Sequence, residues 1–374
     1  MKKIVFFVES MHCGGAERSL LSLLNNIDVT KYQIDLLVIK SGGEFEKFIP
    51  TGIAYKSIHL KFSLLDRIRF FIKKKRYKNY HKAQIFWESV EKSHKAYPQE
   101  YDVAIAWGQG FATYYVSKKI RAIKKYAWIN IDYDKAGYKF DLDKDKYAAF
   151  DKIVGVSEFV RDAMKKYVHE SKLLCIRNII DREDILVRAT EPIKEITNCS
   201  CLNIVSIGRL AKQKAFHLSI LAAKHLLEKH VNFKWYIVGE GAERDSLLNL
   251  IKEKGLTGYV ELLGFRDNPY PYIAKGDIYV QTSLFEGLGR TLIEAAILCK
   301  PIVSTNFPTA YELVEDGQTG FVTEMNAEAI AEKILLLHMD KKRYHQMVDR
   351  LSMKTDNEKQ NTLEKVYTLL DDQV

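Results

Sequence analysis

The residues of this chain best suited to chemistry stand where apolar runs give way to loops. In Gly208-Arg209-Leu210 an arginine follows such a run, with Lys214 five residues beyond it. An arginine fork and a lysine point charge can together clamp a diphosphate. Further on, Gln281-Thr282-Ser283-Leu284-Phe285-Glu286-Gly287-Leu288-Gly289 leads into an apolar helical pattern that contains Glu294. The interval is Glu-x7-Glu, one carboxylate in the loop and one a turn into the helix, and vicinal diols need such paired acceptors. Gly287 and Gly289 expose backbone N–H groups at a helix start, which suits a phosphate. Gly14 and Gly15 precede the first helix in the same way, where glycine permits a tight turn and close approach of a ligand. Gly239 and Gly241 make another sharp turn. Asn130 and Asp132 follow the run Lys125–Ile129. The asparagine can hydrogen-bond but not titrate, and the aspartate either polarises a hydroxyl or caps a turn.

These residues need strands to carry them. Apolar runs predict strands at Lys3–Val8, Gln33–Ile39, Val103–Trp107, Lys125–Ile129 and Lys152–Val156. A second series falls at Asn203–Ile207, Lys234–Val238, Val260–Leu263, Ile278–Gln281 and Ile302–Ser304. Helical spacing predicts helices at Ala16–Asn25, Phe45–Phe48, Phe111–Lys118 and Glu158–Tyr167. It does so again at Leu218–Glu228, Glu243–Lys254, Thr291–Leu298 and Ala327–Leu337. Such alternation means an α/β fold with parallel sheets covered on both faces, here as two doubly wound domains in 374 residues. The first is placed at 1–190 and the second at 201–354, separated by the polar, Pro192-containing stretch Ala189–Cys201. A last helical pattern within 355–374 is expected to pack back across a domain. Ligands on open parallel sheets bind beyond the carboxyl ends of the strands, so the expected site is a cleft between the domains.

Neither G-x-G-x-x-G nor G-x-x-x-x-G-K-[ST] occurs, which argues against an NAD enzyme and a P-loop NTPase. Six pieces do recur in order: His12–Arg18, Gly208-Arg209-Leu210 with Lys214, Val238–Gly241, Leu263-Gly264-Phe265, Ser283–Gly287 with Glu294-Ala295, and Glu315–Gly320. In these the chain resembles the retaining glycosyltransferases of family 4, whose GT-B fold sets two Rossmann-like domains across a cleft. The resemblance implies a sugar moved from a nucleotide diphosphosugar, a UDP-sugar by family preference. It implies that Glu286 binds sugar hydroxyls, that Glu294 holds the ribose, and that Arg209 and Lys214 neutralise the leaving diphosphate. No metal or other cofactor is then expected. Gly287 and Leu288 would assist through backbone N–H groups, Gly239 would lie at the donor site, and the backbone near Phe265 and Arg266 would contact the base. Gly14 and Gly15 would close over the donor phosphates. Two positions depart from the family: Ala215 stands where glycine commonly follows the lysine, and Asn130 where many relatives carry a histidine. Asp132 is the other candidate for that histidine's role.

The net charge is +9, and nine basic residues against the single Asp66 lie between Lys61 and Lys82. Leu64, Leu65, Ile68, Phe71 and Ile72 fall at helical spacing within the segment. A basic amphipathic helix at 61–82 suits an anionic membrane face, while the bland alternative packs its aromatic side on its own domain. Nucleic acid is not an expected partner, since no binding motif or second basic stripe accompanies the helix. No run is long enough to span a bilayer, and the five cysteines lack zinc or disulfide spacing, so free thiols are expected. The expected location is cytoplasmic, on the inner face of the cell membrane. With the resemblance, that points to a lipid-linked glycan acceptor and a bacterial capsule, O-antigen or exopolysaccharide. The competing readings are a nucleotide-sugar epimerase or hydrolase on the same fold, and a non-catalytic membrane-surface adaptor.

Overall fold

The computed structural model describes every residue except 13, 61–62, 197–200, 354–357 and 373–374; Cys13, Lys61 and Cys199 therefore lie outside the described residues. The chain divides into two units, Met1–Ile179 with Asn357–Val374, and Ile180–Asp356.

In the first unit, β1 (Lys2–Ser10), β2 (Tyr32–Lys40), β3 (Ile53–Ser57), β4 (Glu100–Trp107), β5 (Arg121–Ile129), β6 (Lys152–Gly155) and β7 (Leu173–Cys175) form one parallel sheet. Their order is β3-β2-β1-β4-β5-β6-β7. The run Ile4–Val8 is central because it is apolar throughout; Phe6 pairs with Leu36 on one side and Ile105 on the other, and the whole run is buried. In the second unit, β8 (Leu202–Ile207), β9 (Phe233–Val238), β10 (Val260–Gly264), β11 (Ile278–Gln281), β12 (Ile302–Thr305) and β13 (Gly320–Thr323) run in the order β10-β9-β8-β11-β12-β13, also all parallel. Ile204, Ile220, Trp235, Ile237, Val280 and Ile334 anchor its core. Inside it Trp235 Nε1 donates to Ser206 Oγ at 3.0 Å, and Ser206 Oγ donates to the Val280 carbonyl at 2.7 Å. Three central strands are thus tied with no stranded polar group. The expected doubly wound architecture holds for both units.

Strand order reverses direction between β1 and β4, and again between β8 and β11. In sheets of this kind that switch point opens a crevice at the carboxyl ends.

Three edge strands, β3, β7 and β13, and the helix Lys82–Val90 were not among the expected elements. Phe45–Phe48 is only a 3-10 turn at Glu46–Phe48, and the helix at Glu158 ends at Ala163. The division at Ile179 assigns the helix Arg182–Arg188 to the second unit, whereas composition places it in the first. Its contacts explain this: Arg188 Nη2 donates to the Asp267 carbonyl, Asn268 Nδ2 donates to the Arg188 carbonyl, and the guanidinium lies over Tyr270. The helix Glu358–Asp371 packs on the first unit. There Asp28 N–H donates to Tyr367 Oη at 3.0 Å, Tyr32 Oη donates to Asp371 at 2.8 Å, and Leu363, Val366 and Leu370 are buried. Cys175 and Cys299 are free thiols, the former pushed up to about 12 by burial and then by Glu158. Cys201 corrects the expectation, being disulfide-bonded.

The basic segment forms a helix over Leu64–Arg76 only; Lys78 lies past its end and Lys82 opens the next helix. Its protein-facing side is polar and aromatic. Asp66 is fully buried, closes a capping box with Ser63, and accepts from Ser93 Oγ at 2.5 Å. Lys73 Nζ reaches Glu88, and Phe70 meets Phe86 edge-on. The apolar stripe points the other way: Leu64, Leu65, Ile68, Phe71 and Ile72 are all exposed, Phe71 to 79%.

Candidate active site

The switch point of the second unit gathers the charged residues. Gly208 and Arg209 follow β8 directly, and Gln281–Glu286 follow β11. Lys214 closes a 3-10 turn at Lys212–Lys214, and the turn is stitched to the β11 loop. Gln213 Nε2 donates to the Phe285 carbonyl, Leu284 N–H donates to the Gln213 carbonyl, and Thr282 Oγ1 donates to the Lys214 carbonyl. Lys214 Nζ thereby comes within 2.6 Å of Glu286 Oε1. Arg209 is exposed, and its side chain has no hydrogen-bond or ion-pair partner among the described residues. Ala215, which stands where glycine commonly follows the lysine, has φ +47° and ψ +41°, a left-handed conformation.

Gly239 is required by the backbone beside it. Its φ is +150°, and a Cβ there would sit 2.0 Å from the Gly208 carbonyl oxygen. Its N–H donates to the Gly264 carbonyl, so its contribution is to draw the ends of β8, β9 and β10 together. Beyond β10, the Phe265 carbonyl accepts from Arg266 Nη1. Arg266 also donates to Tyr272 Oη and to Glu195 at 2.9 Å. Burial opposes ionisation of Glu195, yet Arg266 and the other hydrogen bonds prevail and hold its carboxyl down at about 2.

Glu294 lies in the helix Arg290–Ile297, which Gly289 caps at φ +75° after the buried Leu288 and Gly287. Its Oε1 accepts from Arg290 Nε at 2.8 Å and Tyr270 Oη at 3.4 Å. Glu286 is fixed in the same manner. Its Oε1 accepts from Ser283 Oγ at 2.6 Å and Gln281 Nε2 at 3.1 Å as well as from Lys214. Each carboxylate is therefore held by one oxygen, and no hydrogen bond to Oε2 of either is found among the described residues. Arg290, Tyr270, Ser283 and Gln281 were not among the expected site residues. Arg290 alone had a readable signal, its i,i+4 spacing to Glu294.

In the first unit, Gly14 caps the helix Gly15–Leu24 in an extended conformation, with no side-chain cap. Neither glycine has a positive φ, so no left-handed turn requires them; a Cβ on Gly14 would collide with the Glu17 carboxylate, whereas one on Gly15 would meet nothing within 4 Å. The helix N-terminus is therefore open at Gly15 and faced by the Glu17 carboxylate at Gly14. Asn130 follows β5 and donates its N–H to Gln109 Oε1, while its Oδ1 accepts from Asn178 Nδ2 at 3.3 Å. Its own Nδ2 is buried without a partner. Asp132 Oδ1 accepts from the N–H groups of Asp134 and Lys135, both at 3.1 Å, so its contacts are those of a turn cap. Among the described residues no group of His, Cys, Asp or Glu is arranged to hold a metal.

Two parallel-sheet Rossmann-like units of seven and six strands define the GT-B fold of glycosyltransferases. The fold is shared with Anabaena HepE solved with UDP and glucose, at a TM-score of 0.71 and 18% identity over all of both chains. Residues 201–351 match the model of the family Glycosyl transferases group 1. Among sequence relatives, an N-acetylgalactosamine-N,N'-diacetylbacillosaminyl-diphospho-undecaprenol 4-alpha-N-acetylgalactosaminyltransferase of Campylobacter jejuni is 37% identical over 162 residues. That match covers 43% of this chain and 42% of the relative. An uncharacterized glycosyltransferase of Haemophilus influenzae is 25% identical over 96% of both chains. The first three relatives are matched over only 35–42% of their own length.

Proposed function

We propose that the protein is a retaining glycosyltransferase that moves a sugar from a UDP-sugar to a lipid-linked glycan in surface polysaccharide biosynthesis. One observation carries this reading: two cations and two fixed carboxylates, Arg209, Lys214, Glu286 and Glu294, stand on the loops and helix that follow β8 and β11 at the switch point of the group 1 domain. Glu294 accepts the ribose hydroxyls and Glu286 those of the sugar, while Arg209 and Lys214 take the diphosphate. The bond from the anomeric carbon to the diphosphate breaks, the acceptor oxygen bonds on the same face, and its proton passes to the departing phosphate. Because two protein cations stabilise the leaving group, the chemistry needs no metal. Asn130 Nδ2, an unpartnered donor, hydrogen-bonds the donor or acceptor where relatives use histidine.

The support for UDP is its presence in HepE. Lipid-linked acceptor and α product are supported by the name of the Campylobacter relative. An α-configured nucleotide sugar gives an α product only with retention. The exposed apolar stripe and basic flanks of the helix Leu64–Arg76 are read as a docking surface for the anionic inner face of the cell membrane. Among the described residues no helix is long and apolar enough to cross a membrane.

The test is incubation with UDP-glucose, UDP-N-acetylglucosamine and UDP-N-acetylgalactosamine, with and without undecaprenyl-diphosphate-linked sugar. Acceptor-dependent UDP release and an α-anomeric product by NMR are expected, unchanged by EDTA. Acceptor-independent UDP release would mark a hydrolase, an isomerised donor an epimerase, and no turnover an adaptor.

A further inference from the structure

Lys214, one of the two cations assigned to the diphosphate, is paired within the protein to Glu286. Its ammonium and Glu286 Oε1 lie 2.6 Å apart, and both side chains are mostly buried, at 17% and 11% exposure. A pair this close and this shielded attracts more strongly than a solvated one. Three donors converge on that one carboxylate oxygen, and two of them are neutral and anchored. Gln281 is fixed by Thr291, whose hydroxyl donates to Gln281 Oε1 at 2.6 Å, and the Ser283 carbonyl accepts from Thr305 Oγ1 at 2.6 Å. Lys214 is the charged member of the three, and Arg209 has no side-chain partner among the described residues. If the lysine leaves, Ser283 and Gln281 keep the carboxylate in place.

We propose that Glu286 competes with the donor diphosphate for Lys214 and yields it on binding, with Ser283 and Gln281 as positioning residues that hold the freed carboxylate for the sugar. The proposal rests on the reading of this site as the nucleotide diphosphosugar site. Diphosphate and Glu286 then compete for one ammonium, so the carboxylate needed for transfer weakens nucleotide binding. When the ammonium departs, Ser283 and Gln281 still hold Oε1, and the carboxylate, relieved of its counter-charge, accepts a sugar hydroxyl more strongly at Oε2. Diphosphate binding and sugar binding are thereby coupled through a single ion pair.

Calorimetric titration of the full chain with UDP isolates the competition, because UDP lacks the sugar that Glu286 would hold. Glu286→Gln should tighten UDP binding about three- to tenfold, with less than about twofold gain in a Lys214→Ala background. Ser283→Ala, which leaves Glu286 one donor fewer and a firmer hold on Lys214, should weaken UDP binding by about twofold or more with Glu286 present and not in the Glu286→Gln background. A structural defect would instead weaken both. UDP binding by the wild type with an equal or weaker Kd in Glu286→Gln overturns the competition and leaves the site reading intact. An equal gain in both lysine backgrounds also overturns it, showing only relief of charge repulsion. Failure of the folded wild type to bind UDP overturns the site reading and the proposal with it.

Discussion

Replacing Phe71 and Ile72 together by serine should separate membrane docking from folding. The two side chains are 79% and 63% exposed, on the face of the helix Leu64–Arg76 opposite Asp66 and Lys73. Burying a full Phe or Ile side chain contributes about 1.5–3 kcal/mol, so the exposed parts of this pair amount to about 2–4 kcal/mol of insertion energy. At 1.4 kcal/mol per tenfold, partition onto vesicles should fall about 30- to 700-fold. Lys74, Lys75 and Arg76 would still attract an anionic surface at about 1 kcal/mol each, so residual binding should vanish in high salt. Stability should change by less than about 0.5 kcal/mol, because neither side chain packs on the protein. The assay is co-sedimentation with phosphatidylglycerol and phosphatidylcholine vesicles, beside thermal unfolding of the same samples. Unchanged partition together with a lowered unfolding midpoint would refute the reasoning, since the stripe would then be covering the protein.

Other perturbations have equally definite outcomes. Arg209→Ala should lower turnover by about 10²–10³, as loss of one oxyanion donor does, with or without EDTA; full activity would refute the diphosphate clamp. Ala215→Gly should leave stability within about 1 kcal/mol, because relief of left-handed strain is offset by the lost buried methyl and the freer unfolded chain; a loss above about 2 kcal/mol in thermal unfolding would contradict this. Asp66→Asn should cost about 1–2 kcal/mol at neutral pH. Ser93 and Ser63 hold the Asp66 carboxyl down at about 2, below its unfolded value of 3.8. Its contribution is thus complete above that unfolded value and fades as pH falls towards 2, so wild type and variant should converge in acid unfolding over that window.

The central strands were legible because a parallel strand buried on both faces must be apolar along its length, as Ile4–Val8 is and as Ile204–Ile207 is but for Ser206. Edge strands lack that signature: β3 reads Ile-Ala-Tyr-Lys-Ser, and β7 has only three residues. The chemical residues could be named from their positions after strands, yet their partners could not. Lys214 and Glu286 are 72 positions apart, and only the β8–β11 pairing brings them together. Ser283 and Gln281 looked like ordinary loop and strand residues. The Ser63-x-x-Asp66 capping box was readable, but not which face of the helix the protein covers. That depends on Ser93, Glu88 and Phe86, which belong to the next helix and turn.

In the proposed function the second unit grips a nucleoside diphosphate with Arg209 and Lys214. Thermal unfolding with UDP, GDP, ADP and CMP, each with and without EDTA, tests it most directly. At a hundredfold excess over its Kd, a ligand of the folded state adds about 2.7 kcal/mol of stability. A selective, EDTA-insensitive rise with UDP that disappears in Arg209→Ala/Lys214→Ala is the predicted result. No shift with any nucleotide, or one that survives loss of both cations, would contradict it.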